Sequence, residues 1–376
     1  MIVNDEDEET DVGLKLQLID AVQRLGVGYH YEIKIEESLQ KIHELGEKFL
    51  THEKADLCHV ALWFRLLRQQ GLHVTPDMFT KFMDNDEGKL KESLASDEQG
   101  MISLYEATHV AVHGEDILDK ALVFATKNLK SILTKCTSQF QKQVKFSLNL
   151  PLWKCVPRTL TRHYIDFYSD DHGFNNEKLL RFAKLDFNKL QKCHQRELCE
   201  ITEWWGGLQV PTRFRYARDR VVECYYWIYA VYFEPRYRSA RIILTKIISM
   251  LSLLDDTYDN FGTYDEVEIL TTVIQRLDVS PLESLPNEMK NMYRVIIDLY
   301  DEIEIELSKS GPTFAVDYAN EEVRKTQIFS ILALAKCSSV RKTIRTSIDD
   351  CHVRLNKCST YVLQLKIQRF EYRLLS

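Results

Sequence analysis

The chain has 376 residues and a formal net charge of −7, with 45% hydrophobic and 28% charged residues. That length supports about two domains with sizeable cores, and the acidic balance argues against nucleic acid as a partner. Nine cysteines occur without a CxxC pair, which fits reduced thiols in a cytoplasmic protein, and no uninterrupted apolar run reaches the ~18 residues of a membrane span.

Met1 leads into NDEDEETD, which has the features of neither a signal peptide nor a Ser/Arg-rich transit peptide. Residues 13–210 then read as a string of amphipathic helices. Leu14, Leu18, Val22 and Leu25 make one stripe, and Ile35, Leu39, Ile42, Leu45 and Phe49 make a second. Gly71, Pro76, Gly88 and Gly100 punctuate the helices that follow. Strand alternation is scarce, so an all-α domain is expected. His109 and His113 have a metal-ligand spacing, and His52-Glu53 begins like a zinc-protease motif. Neither has the further ligands that zinc needs, and Asp56 stands where a second histidine would be. These residues, with Cys58 and His59, read as ordinary helix positions. No phosphate-cradling glycine loop and no GxSxG elbow occurs.

The chemistry concentrates in residues 218–259. Arg218 and Arg220 precede a helix reading VVECYYWIYAVYF, which Glu234-Pro235 ends. The next run, Ile242–Leu254, carries Lys246 as its only charge and has no Gly or Pro, which fits a buried helix. It ends in Asp255, Asp256 and Asp259, with Gly262 as its stop. Thr263 and Glu266 then have the spacing of a capping box. The two helices should form an antiparallel hairpin. At ~1.5 Å per residue both legs run roughly 21–24 Å, which brings the arginines level with the aspartates.

Acids at a helix C-terminus and cations at an N-terminus both oppose the helix dipole. Asp255 and Asp259 share one face, while Asp256 is turned about 100° away. Two such carboxylates need a cation. With arginines opposite, the set suits a diphosphate that brings Mg²⁺ with it. The later run 298–306, DLYDEIEIE, reads as the solvated face of a helix.

RDR, Trp227, EPRY and LLDDTYDNFGT together resemble the metal-binding domain of plant terpene synthases, in the sesquiterpene-forming group. DEQGMISLYEATHVAVHGEDILDKAL (97–122), LLRFAKLDFNKLQKCHQREL (179–198) and Trp204-Trp205 resemble the N-terminal domain of the same family. The resemblance covers about residues 14–325. It implies an all-α fold of two helical domains, an α-barrel N-terminal domain over 1–210 and a truncated terpenoid-synthase α-bundle over 211–325. A divergent, poorly ordered tail is expected over 326–376. The resemblance further implies that Asp255 and Asp259 bind Mg²⁺, with Mn²⁺ able to replace it, and that Arg218 and Arg220 hold the departing diphosphate. Trp227 would line an aromatic pocket for carbocations. The implied activity is that of a carbon–oxygen lyase: metal-dependent ionisation and cyclisation of farnesyl diphosphate by a cytoplasmic monomer, without a covalent nucleophile.

Two departures from the family pattern shape this expectation. The leading segment with RP and a tryptophan is not found. The second metal motif, [ND]D-x-x-[ST]-x-x-x-E, has no match, because Asp349-Asp350 is followed at the relevant positions by Val353, Arg354, Lys357 and Cys358. Between Lys336 and Ser376 there are nine basic and three acidic residues, and Tyr361, Leu363, Leu365 and Ile367 alternate as in a strand. Such local conflict with an all-α fold is expected of an altered reading frame or a retained intron. An impaired enzyme is therefore expected, one that binds Mg²⁺–diphosphate weakly and releases open-chain alcohols. The alternative is a catalytically inactive fragment or a helical protein-interaction module.

Overall fold

A computed structural model describes residues 12–46, 56–84, 88–135, 139–152, 155–170, 176–276 and 280–310. The chain divides into two compact units, Met1–Lys189 and Leu190–Ser376. Among the described residues the regular structure is helical, apart from an isolated antiparallel bridge between Met83 and Leu90. None of their helices is long and apolar enough to cross a membrane. The tail at 326–376, the Asp349-Asp350 pair, Phe49 and His52-Glu53 lie outside the described residues.

The first unit contains α1 (Val12–Arg24), α2 (Glu32–Glu44), α3 (Leu57–Gln69), α4 (Glu98–Thr108), α5 (Asp116–Lys135), α6 (Gln139–Asn149), α7 (Pro157–Asp170) and the start of α8 (Glu177–Gly207). The expected α-barrel is corrected here: the described helices form a bundle around a filled centre. The physical reason lies in α3, LCHVALWFRLLRQ, which has apolar side chains on every side. Leu57 and all residues from Val60 to Leu67 are buried, and a helix buried all round belongs inside a core rather than in a wall around a lumen. Asp56 caps its start by accepting from the His59 backbone N–H at 2.9 Å.

The α1 stripe is also rotated from its expected position. Leu14 is exposed, whereas Leu16, Ile19, Val22 and Leu25 are buried. Two charged residues on the inner side obscure the pattern. Arg24 donates to both Asp20 oxygens at 2.8 Å and to both Glu106 oxygens, and Arg65 of α3 donates to Asp20 at 2.6 Å. Two arginines and two acids thus pair with one another inside the bundle, which offsets the cost of burying their charges. His109 follows the end of α4 and packs edge-on against Tyr105, while His113 lies beyond the helix and is exposed.

The second unit holds the rest of α8, then α9 (Val210–Arg213), α10 (Val221–Val231), α11 (Arg238–Asp256), α12 (Tyr264–Arg276) and α13 (Asn287–Ser310). Helix α11 is buried over most of its length, with Ile247, Met250, Leu253 and Leu254 in the core alongside Leu270 and Val273 of α12 and Met289 and Met292 of α13. Its buried hydroxyls bond within the helix: Thr245 donates to the Arg241 carbonyl at 2.6 Å, Ser249 to Thr245 at 2.8 Å and Thr257 to Leu253 at 2.8 Å. Its buried Lys246 pairs with Glu302 of α13 and lies 5.2 Å from the Trp204 ring centre. The acidic 298–306 run is therefore solvated on its outer side, with Glu302 reaching back to this lysine.

Candidate functional site

The loop from Phe214 to Arg220, between α9 and α10, carries both arginines and is tied down at several points. Trp205 of α8 donates its indole N–H to Asp219 at 3.0 Å. The Tyr216 ring stacks on Phe261, with centroids 4.4 Å apart and planes at 17°. The Tyr216 hydroxyl lies 2.9 Å from Thr257 Oγ1. Because Thr257 donates its own proton to Leu253, Tyr216 is the donor in that bond. Antiparallel pairing of α10 with α11 brings this loop to the C-terminal end of α11.

That end is not purely α-helical. The α turns finish at Asp256, and Thr257–Phe261 forms a π turn, closed by Gly262 N–H donating to the Thr257 carbonyl five residues back at 2.9 Å. Such wide turns occur mostly as single insertions and often at functional sites. Asp255 and Asp256 therefore stand on α geometry, while Asp259 stands on the wider turn. Gly262 packs closely: a Cβ there would lie 2.5 Å from Val267 Cγ2 and 2.6 Å from Met289 Cε, so those side chains would have to shift. Tyr258 points inward, shares a 2.7 Å hydrogen bond with Thr271, and has its hydroxyl pKa pushed up to about 12 by burial.

The three aspartates have different environments. Asp256 is completely buried and is held by Arg218. Asp255 is partly exposed, at 29% of its side chain, and its Oδ2 lies 3.8 Å from Arg218 Nη2. Asp259 is exposed. Hydrogen bonding to Asp256, helped by the charges of Asp256, Asp255 and Asp259, raises the Arg218 pKa above its ordinary value. The structure thus brings Arg218 to Asp255 and Asp256 and places Asp259 within electrostatic reach. Arg220 lies 3.5 Å from Glu223, and Trp227 of α10 is 44% exposed.

Among the described residues no three His, Cys, Asp or Glu side chains converge to hold a metal on their own. The donor set fits Mg²⁺ as a partial site. Mg²⁺ takes hard oxygen ligands, keeps several waters, and is commonly bound by one or two carboxylates plus substrate phosphates.

Residues 1–148 match the family model for the terpene synthase N-terminal domain, and residues 207–350 match that for the terpene synthase family metal-binding domain. The chain belongs to the plant terpene synthase family. It is 47% identical over 334 residues to a (-)-germacrene D synthase of Vitis vinifera, covering 89% of this chain and 59% of that protein. It is 48% identical over 318 residues to an (E)-beta-caryophyllene synthase of Origanum vulgare, covering 84% of this chain and 57% of that protein. These relatives place it in the sesquiterpene synthase subgroup. Isoprene synthase from grey poplar leaves (Populus x canescens), solved in complex with three Mg²⁺ ions and dimethylallyl-S-thiolodiphosphate, superimposes with a TM-score of 0.78 at 35% identity, over 88% of this chain and 62% of that one. The chain thus spans about three-fifths of the length of these relatives.

For a terpene synthase, the residues that sequence reasoning missed are those that fix the arginine loop: Asp256, Asp219 and Tyr216. Their partners lie 14 to 41 positions away in sequence, at Arg218, Trp205 and Thr257. The one available signal was that Asp256 turns away from the face of Asp255 and so needs a partner of its own.

Proposed function

We propose that this chain binds a prenyl diphosphate, most specifically farnesyl diphosphate, together with Mg²⁺ at the C-terminal end of α11, and promotes its ionisation. Asp255 and Asp259 would hold the metal, and Mn²⁺ would serve in its place. Bound Mg²⁺ supplies Lewis-acid stabilisation of the departing diphosphate. Arg218 is set to donate to diphosphate oxygens from a fixed loop, which costs no reorganisation during reaction. Arg220, on the same loop, would exchange its exposed partner Glu223 for a phosphate oxygen, a small loss because surface pairs are weak.

Trp227 and Tyr226 offer π faces that attract a carbocation. At 44% and 48% exposure they do not exclude water, and water quenches such a cation. Open-chain alcohols such as farnesol or nerolidol are therefore the expected products. The same reading has residues 1–210 as a supporting domain, 211–325 as the metal-binding domain, and the protein as a cytoplasmic monomer.

The observation that carries this proposal is the Arg218 guanidinium held 3.8 Å from Asp255 at the end of a buried helix. Purified chain incubated with farnesyl diphosphate and Mg²⁺, with products read by gas chromatography, tests it. Alcohols that disappear in the Asp255→Ala/Asp259→Ala variant are expected. Release of the same products by that variant, or cyclic products at ordinary enzyme rates, would contradict it.

A further inference from the structure

We infer that Tyr216 is a positioning residue that holds the π turn at Thr257–Phe261 in its wide form and so directs Asp259. This rests on the proposed diphosphate reading of the site. The side chain reaches out from the arginine loop and touches both ends of that turn. Its hydroxyl lies 2.9 Å from Oγ1 of Thr257, the first residue, and its ring stacks on Phe261, the last, with centroids 4.4 Å apart. Thr257 is completely buried and donates its own proton to Leu253, so its oxygen is left to accept from Tyr216. Burial raises the Tyr216 pKa, which keeps the hydroxyl protonated and able to donate at neutral pH. Phe214 packs edge-on against the same ring, with centroids 6.3 Å apart.

The two contacts matter because of what the turn carries. Asp255 stands on α geometry before it, and Asp259 stands inside it. A turn closed by a bond five residues back takes up one residue more than an α turn, so its width determines how Asp259 is directed relative to Asp255. Such turns are rare, and a brace from outside the helix resists tightening to the commoner form. Tyr216 also lies two residues before Arg218 on the same loop. One side chain thus relates the arginine to the aspartate, as groups behind a metal site orient the residues that ligate it. The loop has a separate tie in the 3.0 Å bond from Trp205 to Asp219, so loss of Tyr216 should act on Asp259 and leave the loop in place.

Mn²⁺ binding to the full chain in the presence of inorganic pyrophosphate, followed by electron paramagnetic resonance, tests this without requiring turnover. Tyr216→Leu is expected to weaken Mn²⁺ binding about tenfold, as loss of a group that orients a metal ligand does. Tyr216→Phe keeps the stack and should weaken it about threefold, as one lost hydrogen bond does. In an Asp259→Asn background, which keeps Asp255 and the phosphate oxygens, neither substitution should weaken binding further. General loosening of the fold would not produce that dependence. Equal losses in the Asp259→Asn background and in the unmodified chain overturn the inference. Unchanged affinity in a folded Tyr216→Leu variant, with the unmodified chain binding, also overturns it and leaves the functional reading standing. An unmodified chain that binds no Mn²⁺ with pyrophosphate overturns both. If circular dichroism shows Tyr216→Leu to be unfolded, Tyr216→Phe carries the comparison: a loss that vanishes in the Asp259→Asn background supports the assignment, and an equal loss there refutes it.

Discussion

Arg241 and Glu197 form a two-point ion pair, at 2.7 and 2.8 Å, in which neither side chain is more than 1% exposed. The pair fixes the first turn of α11 against α8, and Tyr225 adds a hydroxyl to Glu197 at 3.1 Å. Arg241 also donates to the carbonyls of Tyr232 and Glu234 at 3.2 and 2.6 Å, where α10 has ended. Removing the arginine leaves a buried carboxylate without its cation, which typically costs about 3–5 kcal/mol. Arg241→Met should therefore lower the urea midpoint sharply. Arg241→Met/Glu197→Leu should recover part of that loss, limited by the two carbonyls left behind. A single variant as stable as the parent would show that the pair contributes nothing.

Acid should act on the first unit through Asp20. Burial alone would raise its pKa, but Arg24 and Arg65 outweigh burial and hold the carboxyl below its ordinary value. A depressed folded-state pKa gives stability that is complete above the unfolded value of about 4 and is lost as pH falls through the lower folded value. Thermal melts followed by circular dichroism should show a falling midpoint below about pH 4. Asp20→Asn should lower the midpoint at pH 7 and make the acid limb shallower. An acid limb identical to the parent's would count against this assignment.

Much of the fold was legible because its signals are local. The mostly apolar run at Ile242–Leu254, free of Gly and Pro, fixed α11, and Glu234-Pro235 fixed the end of α10 near Val231. Ile35, Leu39 and Ile42 are buried as their spacing requires, while Leu45 at the end of the stripe is exposed. What could not be read was long-range pairing. Asp20 and Arg24 look like surface residues until Arg65 and Glu106 meet them. An α-helical period cannot reveal the π turn at Thr257–Phe261, since that turn depends on what closes around Gly262. At the site, the alignment of Arg218 with the α11 acids followed from helix length alone. The different environments of Asp255 and Asp256 needed the folded loop.

The capping box at α12 differs slightly from its usual form. Glu266 accepts from the Thr263 backbone N–H at 2.9 Å and from its hydroxyl at 2.8 Å, so the threonine side chain is turned to the glutamate. The backbone bond, followed by the hydroxyl, lowers the Glu266 pKa. Glu266→Ala should cost about 0.5–1 kcal/mol, as a lost cap at an exposed helix start does. Because the bond needs the ionised acid, the difference from the parent should shrink as pH falls through the lowered carboxyl pKa. Denaturant curves at pH 7 and pH 4 measure both effects, and a difference that grew on acidification would refute the explanation.

Cys58 should be chemically silent. Burial pushes its thiol pKa up to about 11, and the hydrogen bond shared with Ser103, at 3.3 Å, offsets only part of that. The thiolate is the reactive form, so at pH 8 folded protein should leave Cys58 unmodified by iodoacetamide, as read by mass spectrometry of its peptides. Alkylation of Cys58 within minutes, before unfolding, would disprove it.

Helix α3 gives the molecule an internal clock for its own opening. A segment shielded on every side has no local fraying route to solvent, unlike an outer helix that can lift one face at a time. Amide protons in such positions exchange only when the surrounding structure opens as a whole. Deuterium uptake between Val60 and Leu67 would thus report the global opening free energy of the first unit. Any ligand that slowed uptake there would be stabilising that whole unit.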